Sequence, residues 1–185
     1  RQMCIRDRYN HFIVVGPFND PASIEKADSV TEAFALIAGA RALFISRGDD
    51  SGTHLAELKI WRTAGVDFET ASGTWYRNVG SGMGTTLNIA SASNAYCLSD
   101  TATWIAFKNK GPLNILVKGD ESLLNQYGVI AVNPQRHPHV NWEGAKRFVN
   151  WLTSAEGQTT INTFKIADQQ LFFANSPTDT TKSIG

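Results

Sequence analysis

Short apolar and β-branched runs alternate with helix-spaced apolar positions along most of the chain. Runs at residues 11–15, 43–46, 74–79, 95–98, 114–118 and 127–132 predict strands. Between the first two, Val30, Phe34 and Ile37 fall at i, i+4 and i+7, one face of a helix that Gly39 can stop. Leu55, Leu58 and Trp61, at three-residue steps, predict the inward face of a helix over 54–64 that ends at Gly65. A further helix is expected over 85–93. Beyond the turn at Asn133-Pro134, Ala145, Phe148, Val149 and Leu152 recur at i, i+3, i+4 and i+7 behind a start at Asn141-Trp142-Glu143, the strongest helical pattern present. A short helix over 154–164 then leads to Leu171-Phe172-Phe173, and the polar stretch 176–185 is expected to be disordered. This alternation predicts an α/β layer architecture without internal repeats.

Bulk properties narrow the function more than the fold. The 185 residues are 42% hydrophobic and 18% charged, enough for a sizeable core in one large or two small domains. Lys plus Arg balances Asp plus Glu at 17 each, so no net field draws the chain to nucleic acid or an anionic membrane. Any anion it binds must be recognised locally. Cys4 and Cys97 form no C-x-x-C pair and indicate neither a metal cage nor a disulfide framework. Residues 1–8, RQMCIRDR, join the strand-like YNHFIVVGP with no turn chemistry between them, and are expected to be foreign to the rest of the chain.

Two loops carry candidate chemistry, each between a strand and a helix. In Arg47-Gly48-Asp49-Asp50-Ser51-Gly52-Thr53, a helix start near Ser51 leaves backbone N–H groups without intrahelical partners and adds partial positive charge. Ser51 and Thr53 can donate hydroxyl protons, Gly52 allows close backbone approach, and Arg47 supplies a forked cationic donor, a set suited to a tetrahedral oxyanion. Asp49 and Asp50 would repel an anion, and fit instead as first-turn residues or as acceptors steadying Arg47. A plain turn with Asp50 or Ser51 as the N-cap explains the same residues equally well. The second loop, Gly80-Ser81-Gly82-Met83-Gly84-Thr85-Thr86, fails as a dinucleotide fingerprint, which wants glycine at position 85. It also fails as a triphosphate loop, which wants lysine before the hydroxyl residue. It remains either a flexible glycine turn or a second helix N-terminus with free N–H groups; two such loops in one domain strengthen the anion reading of both.

Catalytic signatures are missing from the sequence. There is no G-x-S-x-G elbow and no H-E-x-x-H pair, and His11, His54, His137 and His139 are scattered. His137-Pro138-His139 is expected to be a surface loop rather than a metal pair, and His54 a helix-surface residue. Trp61, Trp75, Trp104, Trp142 and Trp151 are expected in packing roles, since no basic groove accompanies them. No catalytic residue and no cofactor is expected.

The segments YNHFIVVGPFNDPA, FISRGDDSGTHLAELKIW, WYRNVGSGMGTTLNIAS, YCLSDTATWIAF, YGVIAVNP and VNWEGAKRFVNWLTSAEGQ, in this order over residues 9–175, resemble the tungstate-binding proteins of ABC importers. The pattern R-x-x-x-S-G-T is also similar to the anion loop of phosphate-binding proteins. The resemblance implies a type II periplasmic-binding-protein fold of two α/β lobes joined by crossing hinge strands. Arg47, Ser51, Gly52 and Thr53 would contact the oxyanion, with the helix start at Met83, Gly84 and Thr85 as a second contact. It further implies lobe two at 44–126, a partial lobe one with hinge strands at 9–43 and 127–175, and a missing opening half that carries another ligand loop. The whole would be a monomer, periplasmic or lipid-anchored, that presents tungstate or molybdate to a membrane permease.

The implied mechanism is capture and hinge closure. Tungstate and molybdate are fully ionised at neutral pH and suit a donor-only pocket. Phosphate keeps a proton and would use a carboxylate acceptor, a part that Asp49 or Asp50 could play if turned inward; a phosphate- or sulfate-binding protein therefore remains the alternative, and an enzyme acting on a phosphate ester a further one. Nanomolar affinity requires about 12 kcal/mol, and a charge-assisted hydrogen bond contributes about 1.5–3 kcal/mol. Roughly five good donors are therefore needed beyond the cost of association, and this chain by itself is expected to bind weakly or not at all.

Overall fold

One strand runs through the whole arrangement. β1 (Ile5–Pro17) is longer than the expected 11–15 because it finds antiparallel partners along its length. The structure, a computed structural model, describes residues 5–176, so the stretch expected to be disordered lies, beyond Ser176, outside the described residues. The chain divides into two compact units, His11–Leu124, and Arg1–Asn10 with Asn125–Gly185.

In the larger unit the order after β1 is α1 (Val30–Gly39), β2 (Phe44–Ser46), α2 (Gly52–Thr63), β3 (Tyr76–Asn78), α3 (Met83–Ser93), β4 (Cys97–Asp100), α4 (Thr101–Ala106) and β5 (Leu113–Val117). β4 and β5 flank β1, in registers Val15↔Cys97 and Val15↔Ile115. β2 and β3 pair in parallel, Phe44↔Tyr76 through Ser46↔Asn78, and Phe44 bridges in parallel to Tyr96 just ahead of β4.

Strand residues alternate between two cores, as period-two geometry requires. Phe12, Val14, Phe44, Tyr76, Tyr96 and Leu98 pack with Phe34, Ile37 and Trp61 of α1 and α2. Ile13, Val15, Ile45 and Cys97 pack with Met83, Leu87, Ala90 and Trp104 of α3 and α4. Helices therefore cover both faces of the strand layer, which is why the strands read as continuous apolar runs. Gly16 lies against the Tyr96 ring: a Cβ there would sit 2.4 Å from Tyr96 Cδ1. The Tyr96 hydroxyl donates to Asp20 Oδ1 (2.8 Å) and accepts from the Ala22 N–H (2.9 Å), fastening the turn after β1.

The smaller unit contains most of β6 (Leu124–Val129), then α5 (Trp142–Thr153), α6 (Ala155–Thr163), β7 (Lys165–Ile166), β8 (Gln169–Gln170) and β9 (Phe173–Ala174). β9 and β6 pair with β1, the former through Arg8↔Ala174 and Tyr9↔Phe173. Val149 and Leu152 of α5 are buried as their spacing predicts. Phe148, of the same pattern, is 56% exposed, and Trp151, expected in a packing role, is exposed beside it, their ring centroids 6.3 Å apart. Among the described residues no helix is long and apolar enough to cross a membrane.

Candidate anion site

The two singled-out loops leave the C-terminal ends of neighbouring parallel strands, β2 and β3, and each enters a helix. In open α/β layers that edge collects helix N-termini and is where ligands bind. The loops are tied directly to one another: Val79 N–H donates to Ser46 O (3.0 Å) and Ser81 N–H to Arg47 O (3.1 Å). Nothing in sequence spacing joins positions 47 and 81. The parallel pairing of their strands does.

In the first loop the capping and anion readings prove compatible. Ser51 is the N-cap of α2, its Oγ accepting from the His54 N–H (3.3 Å) while its hydroxyl lies against the Asp49 carboxyl, an acceptor that a bound anion would have to replace. Gly52 is exposed with nothing within 4 Å of a Cβ position, and Thr53 is buried on the inner face. Gly48 turns the chain at φ +58°, its Cβ position only 2.8 Å from Asn78 Cβ. Arg47 gives its Nε and Nη2 protons to Asp49 Oδ2 (3.2 and 2.5 Å), so three of the fork's five N–H donors remain. Burial acts to raise the Asp49 carboxyl, but hydrogen bonds from Ser51 and Arg47, with the Arg47 charge, prevail and hold it at about 2.

Asp50 does not join Asp49 in steadying Arg47. Its side chain is 94% exposed and faces His54, whose Nδ1 accepts the Asp50 N–H (3.1 Å). His54 is consequently buried, not the surface residue expected, because its ring closes the loop from beneath. The expected inward face of α2 is also corrected. Leu55 is 56% exposed, while Thr53, His54, Glu57, Ile60 and Trp61 are buried. Glu57 goes inward there because donors meet it: Tyr76 Oη from β3 and Trp61 Nε1 from the next turn of α2 both donate to its Oε1 (2.8 and 3.2 Å). Glu57 is the residue near the site that sequence reasoning missed. A carboxylate one turn after Thr53 gave no signal of burial.

In the second loop Gly82 is the N-cap of α3, with no side chain capping the helix. Met83 buries its side chain in the core, so it can offer only its backbone N–H to a ligand; Gly84 and Thr85 are exposed. The other histidines stand apart: His137 and His139 have ring centroids 6.1 Å apart in an exposed turn. Cys97 is buried and free.

Residues 2–156 match the PBP superfamily domain, more than half of the chain. The chain belongs to the PBP superfamily. Within it, a Haloferax volcanii protein whose name proposes anion binding in an ABC transporter is 49% identical over 173 residues, 91% of this chain and 50% of that protein. The tungstate-binding protein TupA of Peptoclostridium acidaminophilum is 42% identical over 84% of this chain and 54% of its own length. The solved structure of tungstate-binding protein TupA from Desulfovibrio alaskensis G20 superposes with a TM-score of 0.77 at 38% identity, covering 95% of this chain and 71% of that one. This PBP chain spans about half the length of the first two relatives.

Proposed function

We propose that this chain supplies one jaw of a tungstate-binding, or molybdate-binding, protein that delivers its oxyanion to an ABC importer permease outside the cytoplasm, without catalysis. One observation carries the reading: the helix N-termini of α2 and α3 leave one strand edge on loops hydrogen-bonded to each other, with the Arg47 fork beside them. The names of the relatives point to the same ligand class. Arg47, Ser51, Gly52 and Thr53, with the backbone at Met83, Gly84 and Thr85, are the proposed contacts.

Ligand choice follows from the carboxylates. Asp49 is engaged by Arg47 and Asp50 is turned to solvent, so neither is free to accept a proton from hydrogen phosphate. A donor-only edge favours the fully ionised dianions. In the proposed lobe assignment 44–126, with α1 packed in its core, is lobe two and 127–175 belongs to lobe one, the ligand being enclosed by hinge bending in a monomer. The test is a thermal-shift series against tungstate, molybdate, sulfate and phosphate, beside Arg47→Ala. Tungstate and molybdate should stabilise the protein most and lose their effect in Arg47→Ala. Stabilisation by tungstate that survives that change would refute the site.

A further inference from the structure

Next to the anion edge lies a buried polar cluster that anion contact by itself does not require. Glu57 sits one helical turn beyond Thr53 on the same face of α2, about 6 Å further along the axis. The residue is 1% exposed, and among the described residues no cation pairs with its carboxyl. Both donors that reach it, Tyr76 Oη from β3 and Trp61 Nε1 from its own helix, use Oε1. Ser46 Oγ, at the end of β2, lies against the same carboxyl and against the Tyr76 hydroxyl, yet is buried without a hydrogen bond. Ser46 Oγ is thus a buried polar atom without a partner beside a carboxyl that could serve as its donor once protonated.

Resting on the anion reading above, we propose that Glu57 is the proton-linked positioning residue of this site. When a dianion settles on the two loops, one proton passes from bulk water to Glu57 Oε2, and the new O–H donates to Ser46 Oγ. The cause is like-charge repulsion in a poorly solvated interior: a second negative charge nearby disfavours the ionised carboxyl. Ser46 immediately precedes Arg47, so the bond steadies the strand end that carries the fork. Coupling is reciprocal, and the protonated protein holds the anion more tightly.

The groups facing Glu57 leave it as the proton acceptor of the cluster. Tyr76 is pushed well up, first by burial and then by the Glu57 charge, and stays neutral. Cys97, from β4, is pushed up by burial and by Glu57 as well. Trp61 has no acid–base role. His54, one turn earlier on α2, spends Nδ1 on the Asp50 N–H. Burial raises Glu57 itself to about 7, against the hydrogen bonds from Tyr76 and Trp61 and the nearby Ser46 hydroxyl, which act to lower it.

The test follows the Glu57 side-chain carboxyl carbon by NMR in the full-length protein labelled at glutamate, titrated over about pH 5 to 9 with and without tungstate. Glu57→Gln identifies the resonance by its loss. Tungstate should raise the midpoint by about one unit, equivalent to about tenfold tighter binding to the protonated form. Calorimetry in buffers of different ionisation enthalpy should show proton uptake in the wild type and none in Glu57→Gln. If the amides of Ser51, Gly52 and Thr53 shift with tungstate while the Glu57 midpoint stays fixed, the inference fails and the anion site stands. If tungstate moves neither, the anion reading fails and the inference with it.

Discussion

Ser51 serves two purposes that opposite substitutions can separate. Its Oγ caps α2 by accepting the His54 N–H at 3.3 Å, a long bond that places its contribution at the lower end of the usual range, about 0.5–1 kcal/mol. Its hydroxyl proton is one of the proposed anion donors, worth about 1.5–3 kcal/mol if charge-assisted. Ser51→Ala should therefore lower stability in urea by less than about 1 kcal/mol and weaken tungstate binding about 10- to 150-fold. Ser51→Asp keeps a good cap and complements the helix dipole, so stability without ligand should equal or exceed that of the wild type. Binding should vanish, because a carboxylate about 4 Å from the anion costs about 4 kcal/mol per unit of ligand charge at an effective dielectric constant near 20. Chemical unfolding followed by circular dichroism and tungstate calorimetry on the same samples measure the two effects. A Ser51→Asp protein that binds tungstate like the wild type would show that the start of α2 is not the anion site.

Two further outcomes concern the scaffold. Gly48→Ala should destabilise by about 1–3 kcal/mol, combining a left-handed backbone with a Cβ placed 2.8 Å from Asn78 Cβ. Gly84→Ala, in a helix with nothing within 4 Å, should stabilise by about 0.5–1 kcal/mol, and equal unfolding midpoints for the two variants would contradict this. The second outcome is a pH dependence. Glu57 is raised by burial from an ordinary 4.5 to about 7 in the folded chain, so the native state holds the proton more firmly than the unfolded one. Stability should be full below pH 4.5 and decline as pH rises to about 7, by a total on the order of 3 kcal/mol. Glu57→Gln should abolish that decline. Identical stability-versus-pH curves for both proteins would remove the buried carboxyl from the account.

The sequence disclosed much of this where the signal was local. The run ending at Ser46, the turn Arg47 to Ser51 and the helix behind it have neighbouring causes: β-branching, a positive-φ glycine and a capping hydroxyl. The inner face of α2 was misjudged because its partners come from afar. Periodicity favoured Leu55, but Glu57 goes inward to meet Tyr76, nineteen residues away. The limits of β1, β4 and β6 also shifted from expectation, since a strand extends as far as its neighbours pair. Arg8 is strand because Ala174 lies opposite it, and Asp100 because Phe12 does. The adjacency of the two anion loops was likewise a matter of topology, expressed in the Ser81 to Arg47 bond and in no motif.

The contact between Gly16 and Tyr96 constrains how such chains can diverge. A side chain at position 16 collides with the ring, and trimming the ring frees Asp20 and the Ala22 N–H from the hydroxyl that fastens them. Neither change is tolerated before the other, so the two positions should covary as a pair. Lineages that keep the Tyr96 tether should keep Gly16, and those that lose the tether should hold the turn after β1 by some other means.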